Sequence, residues 1–301
     1  MKPLIKYLIL FIILLMINGC DKPAPTELIQ EEDPLEIEII TEDTEDEIYS
    51  PGYDSTGVIY NPSRGFANII TVSGIKTSYR NSTFSTSHAQ AIFFDNSSQV
   101  LSPDGRLIGF HTQILGNVDF NTKRAKLREF RIWFKDRITG NIKDTLLGFR
   151  HVLHHKPLNQ DDNFNFRYNS SVSFDFDPVI GNPVHFNIPT PSEINGTVRF
   201  EGQGNNLAGS ISWNAGAPGH FEIIIGGSHR GNGKVFPLYR LKTRDDGRFE
   251  IPKGLLNHIP LDRFERLVFS IIRKNEFHIE NNDNDLFILS QSIHSLVVDI
   301  P

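Results

Sequence analysis

From residue 67 onward, apolar residues recur in short runs separated by Asn, Asp and Gly. Ala67-Asn68-Ile69-Ile70-Thr71-Val72 is apolar and β-branched, and His88 to Phe94 reads as a strand closed by the polar turn Asp95-Asn96-Ser97-Ser98. Leu107 to Leu115 follows the turn Ser102-Pro103-Asp104-Gly105. Phe130 to Lys135 alternates in part, and Ile138-Thr139-Gly140-Asn141 turns the chain into Ile142 to Leu147. Phe164, Phe166 and Tyr168 alternate, as do Val172, Phe174 and Phe176. Beyond Pro189-Thr190-Pro191 the runs are Gly196–Phe200, Gly209–Trp213, Phe221–Ile225, Phe236–Leu241, Arg248–Ile251, Arg266–Ile272 and Phe287–Val298. Period-two runs with turn residues between them predict an all-β fold of sandwich type. One short helix is predicted at Pro252 to His258, with proline at its start.

The first 54 residues follow different rules. Lys2 and Lys6 precede an apolar run from Leu8 to Met16, then Ile17-Asn18-Gly19-Cys20, and Cys20 is the only cysteine. A basic flank, a short apolar core and a small residue before the cut make an export signal. The run is shorter than the ~20 residues that span a bilayer. Ile17 to Cys20 resembles the lipobox of bacterial lipoproteins. That resemblance implies diacylglycerol on the Cys20 thiol, cleavage after Gly19, and a chain held at the membrane of a bacterial cell envelope, facing the periplasm or the cell surface. The mature chain would then have no disulfide, so its stability rests on burial alone or on bound ions.

Charge separates the next segment from the rest. Residues 21–50 hold twelve acids against Lys22 alone, a net of −11, and Pro23, Pro25 and Pro34 interrupt them. Dense like charge predicts a disordered, self-repelling spacer. Leu35-Glu36-Ile37-Glu38-Ile39 alternates within it and is the one stretch able to join a sheet edge as a strand. Lys2 and Lys6 sit in the leader and the whole chain is −6, so residues 51–301 carry a surplus of only +3. No basic footprint for nucleic acid is present.

The predicted organisation is a signal peptide (1–19), a lipidated acidic linker (20–54), an N-terminal β-sandwich-like domain (55–189) and a C-terminal sandwich (190–301). A single continuous sandwich or barrel is the alternative. In the last part, Ser210-Ile211-Ser212-Trp213 followed by Phe221-Glu222-Ile223-Ile224-Ile225 resembles the early strands of immunoglobulin and fibronectin type III domains. Asp245-Asp246-Gly247-Arg248-Phe249-Glu250-Ile251-Pro252 also resembles a pattern of uncharacterised bacterial lipoproteins, which brings no activity with it.

Few residues suggest chemistry. His151-x-x-His154-His155 is the most suggestive cluster for zinc, which needs three or four converging N, O or S ligands. On a strand, His151 and His155 share a face and His154 points away. The oxygen-rich loops around Asp161 and Asn163 and around Asp283 and Asp285 could hold calcium, which takes 6–8 oxygen ligands, but neither has the spacing of an EF-hand. Gly226-Gly227-Ser228-His229-Arg230-Gly231 nearly spells a nucleophile elbow, but its last glycine comes one residue late and the strand–turn–helix setting is lacking. Asp175 and Asp177 share a strand face as a carboxylate pair, while Phe174 and Phe176 face the core and leave both acids to solvent. Trp133 and Trp213 lie in strand-like runs and are expected to be buried rather than offered to sugars. The expectation is therefore a lipid-anchored envelope protein of interaction or scaffold type. A glycan or small-molecule binding module is the alternative, and an exported hydrolase comes last.

Overall fold

The computed structural model describes residues 36–39, 48–49, 68–105, 107–135, 142–154, 164–202, 208–216, 220–229, 235–259, 261–279 and 286–300. The strands in chain order are β1 (Glu36–Ile39), β2 (Ile48–Tyr49), β3 (Asn68–Tyr79), β4 (Ser82–Ile92), β5 (Phe94–Leu101), β6 (Leu107–Thr112) and β7 (Gly116–Phe120). There follow β8 (Lys123–Arg124), β9 (Lys126–Lys135), β10 (Ile142–His154), β11 (Ser171–Pro178), β12 (Val184–Pro189) and β13 (Gly196–Glu201). The chain ends with β14 (Ala208–Trp213), β15 (His220–His229), β16 (Val235–Thr243), β17 (Arg248–Ile251), helix α1 (Lys253–Asn257), β18 (Phe264–Ile279) and β19 (Leu286–Asp299). The all-β class and the single short helix behind Pro252 are as the sequence predicts.

One ten-stranded sheet dominates, in the order β1-β16-β15-β18-β19-β3-β4-β10-β9-β2. Its strands come from both sides of Pro189-Thr190-Pro191, so residues 55–189 and 190–301 share a sheet. The join is a parallel ladder in which β19 runs beside β3 from Leu286↔Asn68 to Val297↔Tyr79. Every other pairing in that sheet is antiparallel. Two small sheets, β12-β11-β7-β8 and β13-β14-β17, complete the packing on one face, and a β5–β6 hairpin stands apart.

Strand alternation gives the large sheet two different faces. On the first face lie two apolar clusters. Phe221, Ile223, Ile225, Leu241, Phe269 and Ile271 pack against Ile211, Trp213, Phe249 and Ile251 of the three-stranded sheet. Ile70, Val72, Ala89, Ala91 and Leu153 pack against Val118, Phe120, Val172, Phe174 and Ile188 of the four-stranded sheet. The clusters meet at the stretch 189–195, with Ile188 in one and Ile194 in the other. That proline-rich stretch divides the packing without dividing the sheet.

The second face is buried as well. Ile224, Ile272 and Ile293 form a cluster with Ile75, all from the large sheet itself. At its far end Ile92 and Ile69 are covered by Phe94 and Phe110 of the β5–β6 hairpin. Curvature accounts for a sheet burying its own side chains, and chain length requires it. β1 and β2 are the two outermost strands. In a flat sheet nine spacings of about 4.8 Å would hold them roughly 43 Å apart. The eight residues between Ile39 and Ile48 reach about 32 Å at full extension. The sheet is therefore curled, with its second face concave.

Three local expectations need correction. Glu36–Ile39 joins the sheet edge beside β16, as its alternation suggests, but Ile48–Tyr49, in the stretch read as a disordered spacer, also pairs, with β9. The register sets Glu36 and Glu38 opposite Lys242 and Arg240 of β16. Asp95-Asn96-Ser97-Ser98 is an irregularity inside β5 rather than a turn, with the register shifting between Phe94 and Gln99. The Asp95 carboxylate there accepts from the Ser97 N–H at 3.0 Å and its hydroxyl at 2.6 Å. Residues 164–167 form no ladder, although Phe164 and Phe166 are buried as their alternation suggests.

Close approach fixes Gly74 in β3. A Cβ built there would lie 2.4 Å from Phe166 Cδ1 and 2.9 Å from Tyr168 Cε1. Gly74→Val is expected to lower unfolding free energy by about 1–3 kcal/mol through overpacking, read as a lower urea midpoint at unchanged slope.

Candidate functional site

The concave face carries one row of polar side chains running across five strands. Register places Lys274 (β18), Gln291 (β19), Ser73 (β3), His88 (β4) and His154 (β10) side by side. His220 of β15 holds the next register position beyond Lys274. The isoleucine cluster flanks this row on one side, and Leu289, Thr71, Gln90 and Val152 flank it on the other. Sheet geometry makes such a row possible because laterally paired residues in neighbouring strands point the same way.

The row is held by its own contacts. Ser73 Oγ donates to Gln291 Oε1 at 3.1 Å, and neither residue has any surface exposed. Lys274 Nζ donates to Glu222 Oε1 at 2.6 Å and lies 3.3 Å from Glu276. Arg240 Nε stands 3.9 Å from the other Glu222 oxygen. Glu222 is thus buried between two cations, whose direct pairing offsets its desolvation. At the other end, His88 Nδ1 and His154 Nδ1 are 3.0 Å apart, with ring centroids at 4.5 Å and planes tilted by 32°. Gln90 Oε1, beside His88, accepts from Arg150 Nη1 at 2.9 Å.

A second polar group sits on the opposite face. Arg273 forks onto Asp245 through Nε (2.5 Å) and Nη2 (2.9 Å), and Trp213 Nε1 donates to the same carboxylate at 2.7 Å. Arg273 also donates to the Ser192 hydroxyl at 2.6 Å and the Asn214 carbonyl at 2.9 Å. Bidentate pairing of this kind is among the stronger polar contacts. It pins the 190–195 stretch and the Asp245-Asp246-Gly247 turn to β18. All its donors are spent on structure, which makes it a clamp.

His294 contributes a third contact on that face. The Gly196 N–H donates to its Nδ1 at 2.9 Å, so the proton of the neutral ring is on Nε2, which donates to Ser78 Oγ at 2.9 Å. A second proton on Nδ1 would face that N–H. Burial, with nearby Lys76, holds His294 down to about 4. Burial also holds His88 down to about 3, assisted by His154 and Arg150.

The sequence candidates fare unevenly. His151 and His154 do lie on opposite faces of one strand. His151 is buried edge-on against Phe93, at 5.9 Å between centroids, and neither ring nitrogen finds a partner. Its packing makes it a core residue, and it does not share a face with His154. His154 instead meets His88, which sequence spacing along one strand has no means of revealing. Among the described residues no group of three or more His, Cys, Asp or Glu side chains converges. Phe174 is buried, while Asp175 binds His185 at 2.5 Å near the surface, in line with the solvated reading. Ser228 is a buried strand residue opposite Arg266 of β18. Trp213 is buried as expected. Cys20, His155, Asp161, Asn163, Arg230, Asp283 and Asp285 lie outside the described residues.

The chain matches no protein-family model, no curated protein and no solved structure.

The histidines predict an acid-sensitive fold. Their folded-state values lie below the ordinary ~6.5, so the unfolded chain takes up protons that the folded chain refuses. Stability is complete above about pH 6.5 and falls as pH drops toward 4. The urea midpoint, measured from pH 7.5 to 4.5, is expected to decline over that range, and His294→Gln is expected to flatten the decline.

Proposed function

We propose that this chain is a lipid-anchored protein of the bacterial cell envelope, carrying diacylglycerol on Cys20, that works as a non-enzymatic interaction or scaffold protein. The leader ending in Ile17-Asn18-Gly19-Cys20 supports the anchor. Two or more acyl chains give stable attachment where a single chain gives reversible binding. Cys20→Ser is expected to abolish incorporation of an alkyne-tagged palmitate and to release the protein from membranes. Retention of the label on the variant would refute lipidation at this residue.

The observation that carries the interaction reading is the tip of the β11–β12 hairpin. Val179 and Ile180 are 81% and 91% exposed, and Val184 on the return strand is 42% exposed. The tip is rooted rather than loose, because the Val179 N–H donates to the Leu115 carbonyl at 2.8 Å. Pro178 and Pro183 bracket it, and Gly181 takes the left-handed conformation, with φ +111°, that closes the turn. Clustered large apolar side chains on a fixed projection mark a docking point, since solvent exposure of this kind brings the free protein no stability. The occupant that suits it is an envelope protein with an apolar groove.

A photo-cross-linker at position 180 is expected to capture one recurrent envelope protein in cells. Purified, that protein should bind the wild-type chain at least ten-fold more tightly than the Val179→Ser/Ile180→Ser variant, with the two chains melting at the same temperature. Equal binding by both would remove the hairpin tip as the docking point.

A further inference from the structure

The geometry points to a transition-metal site made by His88 and His154, with copper(II) as the ion it favours. The two residues are direct partners across the antiparallel β4–β10 pair, so backbone register and not side-chain flexibility brings them together. Their Nδ1 atoms are 3.0 Å apart. Metal–imidazole bonds run to about 2.0–2.1 Å. Two such ligands are then about 2.9 Å apart when they subtend 90° at the metal, and about 3.3–3.4 Å apart at the tetrahedral angle. The observed separation fits adjacent corners of a square-planar or tetragonal site, the geometry of copper(II) and nickel(II), and copper(II) binds such donors more tightly than its first-row neighbours.

The surroundings suit an ion entering from one side. His88 is buried in the wall of the curled sheet, while His154 is exposed. Water can therefore fill the positions the histidines leave. In the metal-free pair one ring donates from Nδ1 and the other accepts. Binding moves that single proton from Nδ1 to Nε2 of the donating ring through water, so both Nδ1 lone pairs face the ion and no net proton is lost. Lys126 and Arg128 of β9, at the register positions beside Val152 and Arg150, are cations on this face, as is Arg150 itself. Gln90 Oε1 holds one arm of its guanidinium, which also lies over the Phe130 ring at 5.4 Å. Its charge sets the affinity below that of a site without a nearby cation.

The test is copper(II) titration of the full chain in detergent, followed by calorimetry and by electron paramagnetic resonance. One equivalent is expected to bind with a two-nitrogen coupling pattern and to raise the melting temperature. His154→Ala changes an exposed residue and so leaves the fold in place. It should weaken that equivalent at least ten-fold, remove one nitrogen from the pattern and abolish the thermal shift. His185→Ala, at a surface histidine paired with Asp175, should change none of these. Unaltered binding and coupling in His154→Ala would overturn the assignment, as would a wild-type chain that binds copper(II) no better than the variant.

Discussion

The parallel ladder between β3 and β19 is the contact on which the rest of the molecule depends. On one side of it the large sheet is built from residues of the C-terminal half, apart from β1 at the edge, and on the other from the N-terminal half. Parallel strands are ordinarily covered on both faces. This pair is covered too, but its side chains are unusually polar, with Thr71, Ser73, Ser290, Gln291 and Ser292 all buried. Polar groups at a seam distinguish one register from its neighbours. The Ser73–Gln291 hydrogen bond exists only when those two residues stand opposite each other, and a two-residue slip would break it in the buried seam. Hydrophobic burial holds the sheet together, while these polar contacts fix its alignment.

Both faces of the sheet use buried charge in a similar way. The Arg273–Asp245 fork on the convex face and the Glu222–Lys274 pair on the concave face are each closed by further donors or cations. Replacing either by apolar groups need not weaken the fold, but removing one partner would strand a buried charge. Their positions explain the retention. The fork lies where the 190–195 stretch must cross from one small sheet to the other, and the pair lies where the isoleucine cluster meets the polar row.

Local signals in the sequence were legible and distant ones were not. Asp245-Asp246-Gly247 turns where its residues predict, with Gly247 at φ +92° and the Arg248 N–H bonded to Asp246. The apolar runs from Gly196 onward coincide with β13 to β19. Ser73–Tyr79 and Ser82–Ser87 carry no apolar alternation, being rich in Ser, Thr and Lys, yet pairing makes them β: β19 and β4 flank the first, and β3 pairs the second. The pairing of β3 with β19 joins residues 218 apart, and no pattern in either strand names the other. His154 was visible as a histidine beside two others. Its actual neighbour, His88, is 66 residues away and was reachable only through the register of β4 and β10.

That long separation also governs when the fold can form. Synthesis delivers β3 about 218 residues before its partner β19, so the central seam stays open until β19 follows. Contacts of such high sequence separation slow folding because a large loop must close before they are made. The N-terminal strands meanwhile have an unsatisfied edge along the length of β3, the condition under which nascent β-proteins associate wrongly. A chain still lacking β19 therefore cannot complete its sheet, and β3 and β4 stay exposed to wrong pairing through that interval.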